Sequence, residues 1–117
     1  MAELEECIFC KVARGKLPAY ILYKDDHVVA FHDINPQAPT HVLVIPRKPI
    51  PSLNDLEDGD AELVGKLFLA ARQVAEQEGI AAAGYRAVIN CNAAAGQTVF
   101  HLHLHLLGGR PMRWPPG

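Results

Sequence analysis

The chain has 117 residues, 50% of them hydrophobic and 21% charged, the balance of a soluble globular protein with room for one domain and not for two. A formal charge of −2 offers no basic field to the backbone of a nucleic acid, and no apolar run approaches the roughly 20 residues a membrane-spanning helix needs. The expectation is a domain over 1–117 that engages neither nucleic acid nor membrane.

In chain order, "MAELEEC" is acidic and lacks the basic and apolar regions of a secretory signal, which points to the cytoplasm. Cys7 and Cys10 in "CIFC", with Cys91 the third cysteine of the chain, suggest thiols or metal in that compartment and not a disulfide framework. The runs "YILYKDD" and "HVVAFHD" predict a hairpin with Asp25 and Asp26 at its turn. Alternation in the second run sets Val29, Phe31 and Asp33 on one face and Val28, Ala30 and His32 on the other. After the turn-rich "INPQAP", "THVLVIP" is short, β-branched and apolar, the pattern of a central strand buried on both faces and ended by Pro46.

The spacing predicts a helix over 60–78 with Leu63, Val64, Leu67, Phe68, Ala71, Val74 and Ala75 as its apolar stripe and Gly79 as its cap. Beyond it, "YRAVINC" reads as a fourth strand, "NAAAGQT" as a small-residue loop and 99–107 as a fifth strand. The sum is α+β with a mainly antiparallel sheet. One helix covers only part of such a sheet, so a second copy is expected on the remainder, with the helix and "YRAVIN" as the shared surface. The tail 110–117, stiffened by Pro115 and Pro116, carries one large aromatic, Trp114.

The fifth strand contains "FHLHLHLLGG", in which His101, His103 and His105 alternate with Leu102, Leu104 and Leu106. Extended backbone puts the imidazoles on one face and the leucines on the other. Metal is one use. At about 3.3 Å per residue the outer two backbones stand roughly 13 Å apart, so one ion would take two of them and a third ligand such as His41. An extended phosphate is the other: a neutral imidazole is a nucleophile toward phosphorus, and its neighbours can stabilise charge and move protons. The preceding loop suits a phosphate, since Gly96 permits close approach and Gln97 and Thr98 carry donors.

The pattern "HLHLHLL", with "FHDINPQAPTHVLVIP" at 31–46, "GYRAVIN" at 84–90, "GQTVFHLHLHLLGGR" at 96–110 and the terminal "WPPG", resembles the histidine triad (HIT) nucleotide-binding family, and in particular its adenosine phosphoramidase branch. The resemblance implies a HIT-like fold: a five-stranded sheet with one long helix, dimerising into a continuous ten-stranded sheet. It implies hydrolysis of the phosphorus–nitrogen bond of purine nucleoside phosphoramidates, such as AMP-lysine or aminoacyl-adenylate-like compounds, without a cofactor. AMP, GMP or a phosphoramidate would be the ligand. His103 would attack the α-phosphorus, with His101 and His105 flanking the phosphate and His41 supporting the row. Asn90, Gln97 and Thr98 would contact the phosphate or leaving group, and Asp33 the ribose. Ile8, Phe9, Val12, Leu17, Phe31 and Ile34 would hold the base, and Trp114 would reach across the dimer. Two cysteines like Cys7 and Cys10 join the first triad histidine, here His101, around zinc in another branch; Pro49 stands where the remaining histidine ligand would be expected. A nucleotide-binding regulator and a zinc protein are the alternatives to the enzyme.

Overall fold

The computed structural model describes residues 8–117. A short helix α1 (Ile8–Ala13) precedes strands β1 (Ile21–Lys24), β2 (Val28–His32) and β3 (Thr40–Pro46); helix α2 (Ala61–Gln77) follows, then β4 (Tyr85–Val88) and β5 (Leu104–Gly108). Every pairing is antiparallel and the sheet order is β1-β2-β3-β5-β4. No helix among the described residues is long and apolar enough to cross a membrane.

The hairpin turns where the sequence places it. The Asp25 carboxylate accepts from the backbone N–H groups of His27 (2.7 Å) and Val28 (2.8 Å), using the short acidic side chain to close the turn. Register then fixes two faces. Val28 and Ala30 of β2, Val42 and Val44 of β3, and Leu102, Leu104 and Leu106 pack with Leu67, Ala71 and Val74 of α2. Val29 and Phe31, with Leu43 and Ile45, face the other way against Val12 and Ala13 of α1. The predicted alternation of "HVVAFHD" and the twofold burial of β3 are both present. Arg47 anchors α1 over its face, donating to Ala13 O at 2.6 Å and to Asp25 O at 2.7 Å.

Helix α2 is closed off just beyond its end by Gly79, whose φ of +76° is the left-handed geometry that favours glycine at a cap. Its stripe differs from the expected one. Phe68 and Leu69 are about half exposed (48% and 55%), whereas Ala70 is buried: the sheet lies under a line through Leu67, Ala70, Ala71 and Val74, which turns Phe68 outward.

The histidine segment also differs, because the strand begins at Leu104 and not at 99. The β3–β5 ladder runs from Thr40↔Gly108 to Val44↔Leu104 and stops. Further along β3, Pro46 has no N–H to give, and its carbonyl is taken by the His101 imidazole at 2.7 Å. Leu102 N–H instead donates to Ile50 O at 2.6 Å. The backbone nevertheless keeps the alternation, since Leu102 remains in the α2 core beside Leu104 and Leu106.

Candidate functional site

The face that α1 only partly covers holds a cavity of about 550 Å³. Ile8, Phe9 and Val12 of α1, with Leu17, form an apolar wall; Phe31, Asp33 and Ile34 contribute from β2 and the turn after it; Thr98, His103 and His105 line it as well. These residues span more than 90 positions of sequence, and the sheet register and α1 bring them to one place. Phe9 ties wall to chemistry, with its ring edge-on to Phe31 (5.7 Å between centroids) and to His103 (4.8 Å).

Hydrogen-bond partners fix the tautomer of each imidazole, because a carbonyl can only accept and a backbone N–H can only donate. His103 Nδ1 lies 2.7 Å from His101 O and so carries the proton, which leaves Nε2 bare. His101 Nε2 donates to Pro46 O, which leaves its Nδ1 bare. The N–H of Gln37 donates to His41 Nδ1 at 3.0 Å, so the His41 proton sits on Nε2. That nitrogen is 2.9 Å from His105 Nδ1 and 3.5 Å from Asp33 Oδ2, so His41 donates to His105, whose own proton is then on Nε2.

Asp33, His41 and His105 bring their ligand atoms within 4.8 Å of one another, a composition that could suit a metal. The tautomer argues otherwise. A neutral histidine that binds metal through Nε2 keeps its proton on Nδ1 and donates it to a supporting group, whereas His41 Nδ1 accepts here. The three groups are instead joined by hydrogen-bond contacts, His41 Nε2–H lying between His105 Nδ1 and Asp33 Oδ2.

Burial drives the histidine pKa values down. His105, desolvated and flanked by His103 and His41, is pushed to about 4, and desolvation also lowers His101, His103 and His41. All are neutral at pH 7. In the unfolded chain imidazoles titrate near 6.5, so between that pH and about 4 the unfolded state binds more protons than the folded one. Stability is therefore complete above about pH 6.5 and falls as the pH is lowered toward 4. Thermal melts should show a lower Tm at pH 5 than at pH 7, and His105→Asn should flatten that slope; an unchanged Tm over this range would contradict the buried neutral row.

Other expected site residues lie elsewhere. Gln97 is buried, but its amide NH2 donates to Pro51 O (2.8 Å) and Val99 O (3.1 Å) and its carbonyl accepts from Asn92 N–H (2.8 Å). With every polar group committed inside the protein, its side chain braces the loop and has no donor left for a phosphate. Gly96, at φ +87°, ends the short 3₁₀ turn of Ala93–Ala95. Neither Gly96 nor Asn90 lines the cavity, and Trp114 projects from the chain, 82% exposed. His101 is fully buried behind His103. Of the zinc set, Cys7 lies outside the described residues. Cys10 Sγ sits 3.1 Å from His101 Nδ1, but Cys10 is disulfide-bonded, where the sequence pointed to thiols or metal, and in that state it offers no thiolate to an ion.

The sequence reading missed Pro18, Ala19, Tyr20, His32, Leu43 and Val99 in the cavity wall. Leu43 was within reach, since alternation puts it on the His41 side of β3. Tyr20 was not: it meets His32 edge-on at 4.7 Å through strand pairing that spacing alone does not reveal.

Residues 14–112 match the HIT domain family. An uncharacterized HIT-like protein of Synechocystis is 55% identical over 97% of this chain and 98% of its own. The purine nucleoside phosphoramidase of Escherichia coli is 51% identical over 92% of this chain and 91% of its own. Among solved structures, a HIT family hydrolase from Legionella pneumophila superposes with a TM-score of 0.93 at 51% identity, covering 96% of this chain and all of that one. With its five antiparallel strands, one main helix and His103 and His105 lining an apolar cavity, the chain belongs to the HIT domain family.

Proposed function

We propose that this protein is a purine nucleoside phosphoramidase, which hydrolyses the phosphorus–nitrogen bond of adenosine 5′-phosphoramidates and similar aminoacyl-adenylate-like compounds through a nucleotidyl-histidine. The observation that carries the reading is the His103 tautomer: with Nδ1–H held by His101 O, the bare Nε2 belongs to a side chain that lines the cavity. In the first step Nε2 forms a bond to the α-phosphorus as the P–N bond breaks, and the departing nitrogen takes up a proton from solvent. Water then attacks the same phosphorus and gives up a proton to solvent, the histidine–phosphorus bond breaks with its electron pair returning to Nε2, and a nucleoside monophosphate leaves. The Nε2–H of His105, directed by His41, supplies a donor beside the reacting phosphate. Asp33 accepts from the ribose, and the wall of Ile8, Phe9, Val12, Leu17, Phe31 and Ile34 takes the purine. Thr98 contacts the phosphate side.

The test is release of AMP from adenosine 5′-phosphoramidate in the presence of excess EDTA. Turnover is expected to survive chelation, because the nucleophile and its donors are imidazoles. A protein that binds AMP without turnover would be a nucleotide-binding regulator, and one whose activity disappears with a stoichiometric zinc would be a metal enzyme.

The domain over 1–117 acts, in this proposal, as a cytoplasmic homodimer in which α2 and β4 join to give a continuous ten-stranded sheet. Phe68 and Leu69 on the outer side of α2 and Tyr85 on β4 are exposed in the single chain, apolar surface that a second copy would cover. The tail 110–117 would then carry Trp114 across the junction toward the partner's leaving-group side, and Asn90 would contact the phosphate or leaving group. Light scattering should give a dimer for the wild type and a monomer for Phe68→Glu, and truncation after Met112 should alter leaving-group preference more than Tm. A monomeric wild type would end this part of the proposal.

A further inference from the structure

The "GGR" that follows the histidine segment is unused by the chemistry above, yet its geometry leads back to the site. Gly109 has a φ of +90°, and a Cβ there would come within 2.8 Å of Pro39 Cβ. Only glycine turns the chain this way and lets it pass so close to the 33–40 loop. The turn brings Arg110 beside Gln37, where its guanidinium donates to Gln37 O at 3.0 Å. Gln37 is held again by its own side chain, whose amide donates to Asn35 O at 3.0 Å, and Asn35 N–H in turn donates to Asp33 Oδ1 at 2.7 Å. The one group of Gln37 aimed at the site is its backbone N–H, on His41 Nδ1 at 3.0 Å.

We propose that Arg110 and Gln37 are positioning residues that set the direction of the His41–His105 hydrogen bond. Arg110 grips the carbonyl of the residue whose N–H allows only one His41 tautomer, and that tautomer obliges His41 to donate to His105 at 2.9 Å. His105 then presents Nε2–H. If the Gln37 N–H drifted away, His41 could carry its proton on Nδ1, and His105 would turn its donor toward His41 and a bare nitrogen toward the substrate. Neither residue needs to touch substrate for this to matter. The purpose rests on the proposed hydrolase reading; the clamp itself can be tested without it.

The experiment uses the full chain labelled with ¹⁵N-histidine, comparing wild type, Arg110→Ala and Arg110→Lys. Side-chain ¹H–¹⁵N correlation spectra at pH 7 should show His41 as the Nε2–H form in the wild type, with the Nδ1–H form becoming visible in Arg110→Ala. The alanine variant should lose about fivefold in kcat toward adenosine 5′-phosphoramidate with KM held within about twofold, the scale of one hydrogen bond lost from the reacting arrangement. Arg110→Lys, which keeps a donor, should recover part of both. A wild-type His41 protonated on Nδ1 overturns the proposal, as does an alanine variant in which the tautomer or kcat stays at its wild-type value while the other changes, or in which neither changes. Should the wild type hydrolyse no phosphoramidate, the hydrolase reading falls and the spectra alone decide the clamp.

Discussion

His103→Ala should reduce phosphoramidate turnover by at least about 10³-fold, because the reaction would lose its nucleophile and not merely an orienting contact. The fold should survive. His103 is buried, but it lines the cavity, so truncation enlarges an open space and does not create a sealed void. Among the described residues its ring meets Phe9 and His105 edge-on. Nucleotide binding should persist as well, since the wall of α1, Phe31 and Asp33 is built from other elements. Steady-state kinetics, a binding isotherm for AMP and a thermal melt together check this expectation. A variant retaining more than a few per cent of wild-type turnover would rule out attack by this residue.

Leu104→Ala, one residue along, should do the reverse. Leu104 is fully buried, pairs across the sheet with Val44 and belongs to the core under α2. Deleting a leucine side chain at such a site costs about 2–5 kcal/mol, a large part of the roughly 5–15 kcal/mol that holds a domain together. The melt should drop by roughly 10 °C or more, while the protein that remains folded at low temperature still turns over substrate. Adjacent residues thus separate chemistry from stability, because the extended backbone sends His103 to the cavity and Leu104 to the core. A melt within experimental error of wild type would mean that the leucine face is not the core described here.

Period-two patterns made much of this legible. "HVVAFHD" assigned Phe31 and Asp33 to the cavity side, "THVLVIP" fixed the central strand, and the leucines between the histidines marked the core face. Features that depend on distant partners stayed hidden. Gln97 has the chemistry of a phosphate contact, and only the positions of Pro51 O and Val99 O show that its donors are already used. The strand begins at Leu104 because Pro46 cannot continue the ladder, a fact about β3 and not about the histidines. Phe68 fits an apolar stripe, yet the tilt of α2 over the sheet chose Ala70 for the core in its place. The tautomers are the furthest from sequence, since they are set by a carbonyl at His101 and an N–H at Gln37 whose placement is a property of the backbone.

The most direct measurement is intact-mass analysis of the protein quenched shortly after mixing with adenosine 5′-phosphoramidate, followed by mapping of any adduct. An increase equal to one adenylyl group, located on His103 and missing from His103→Ala, is the predicted result. Rapid AMP release with no adduct at any quench time, or an adduct on another residue, would contradict attack by His103 Nε2.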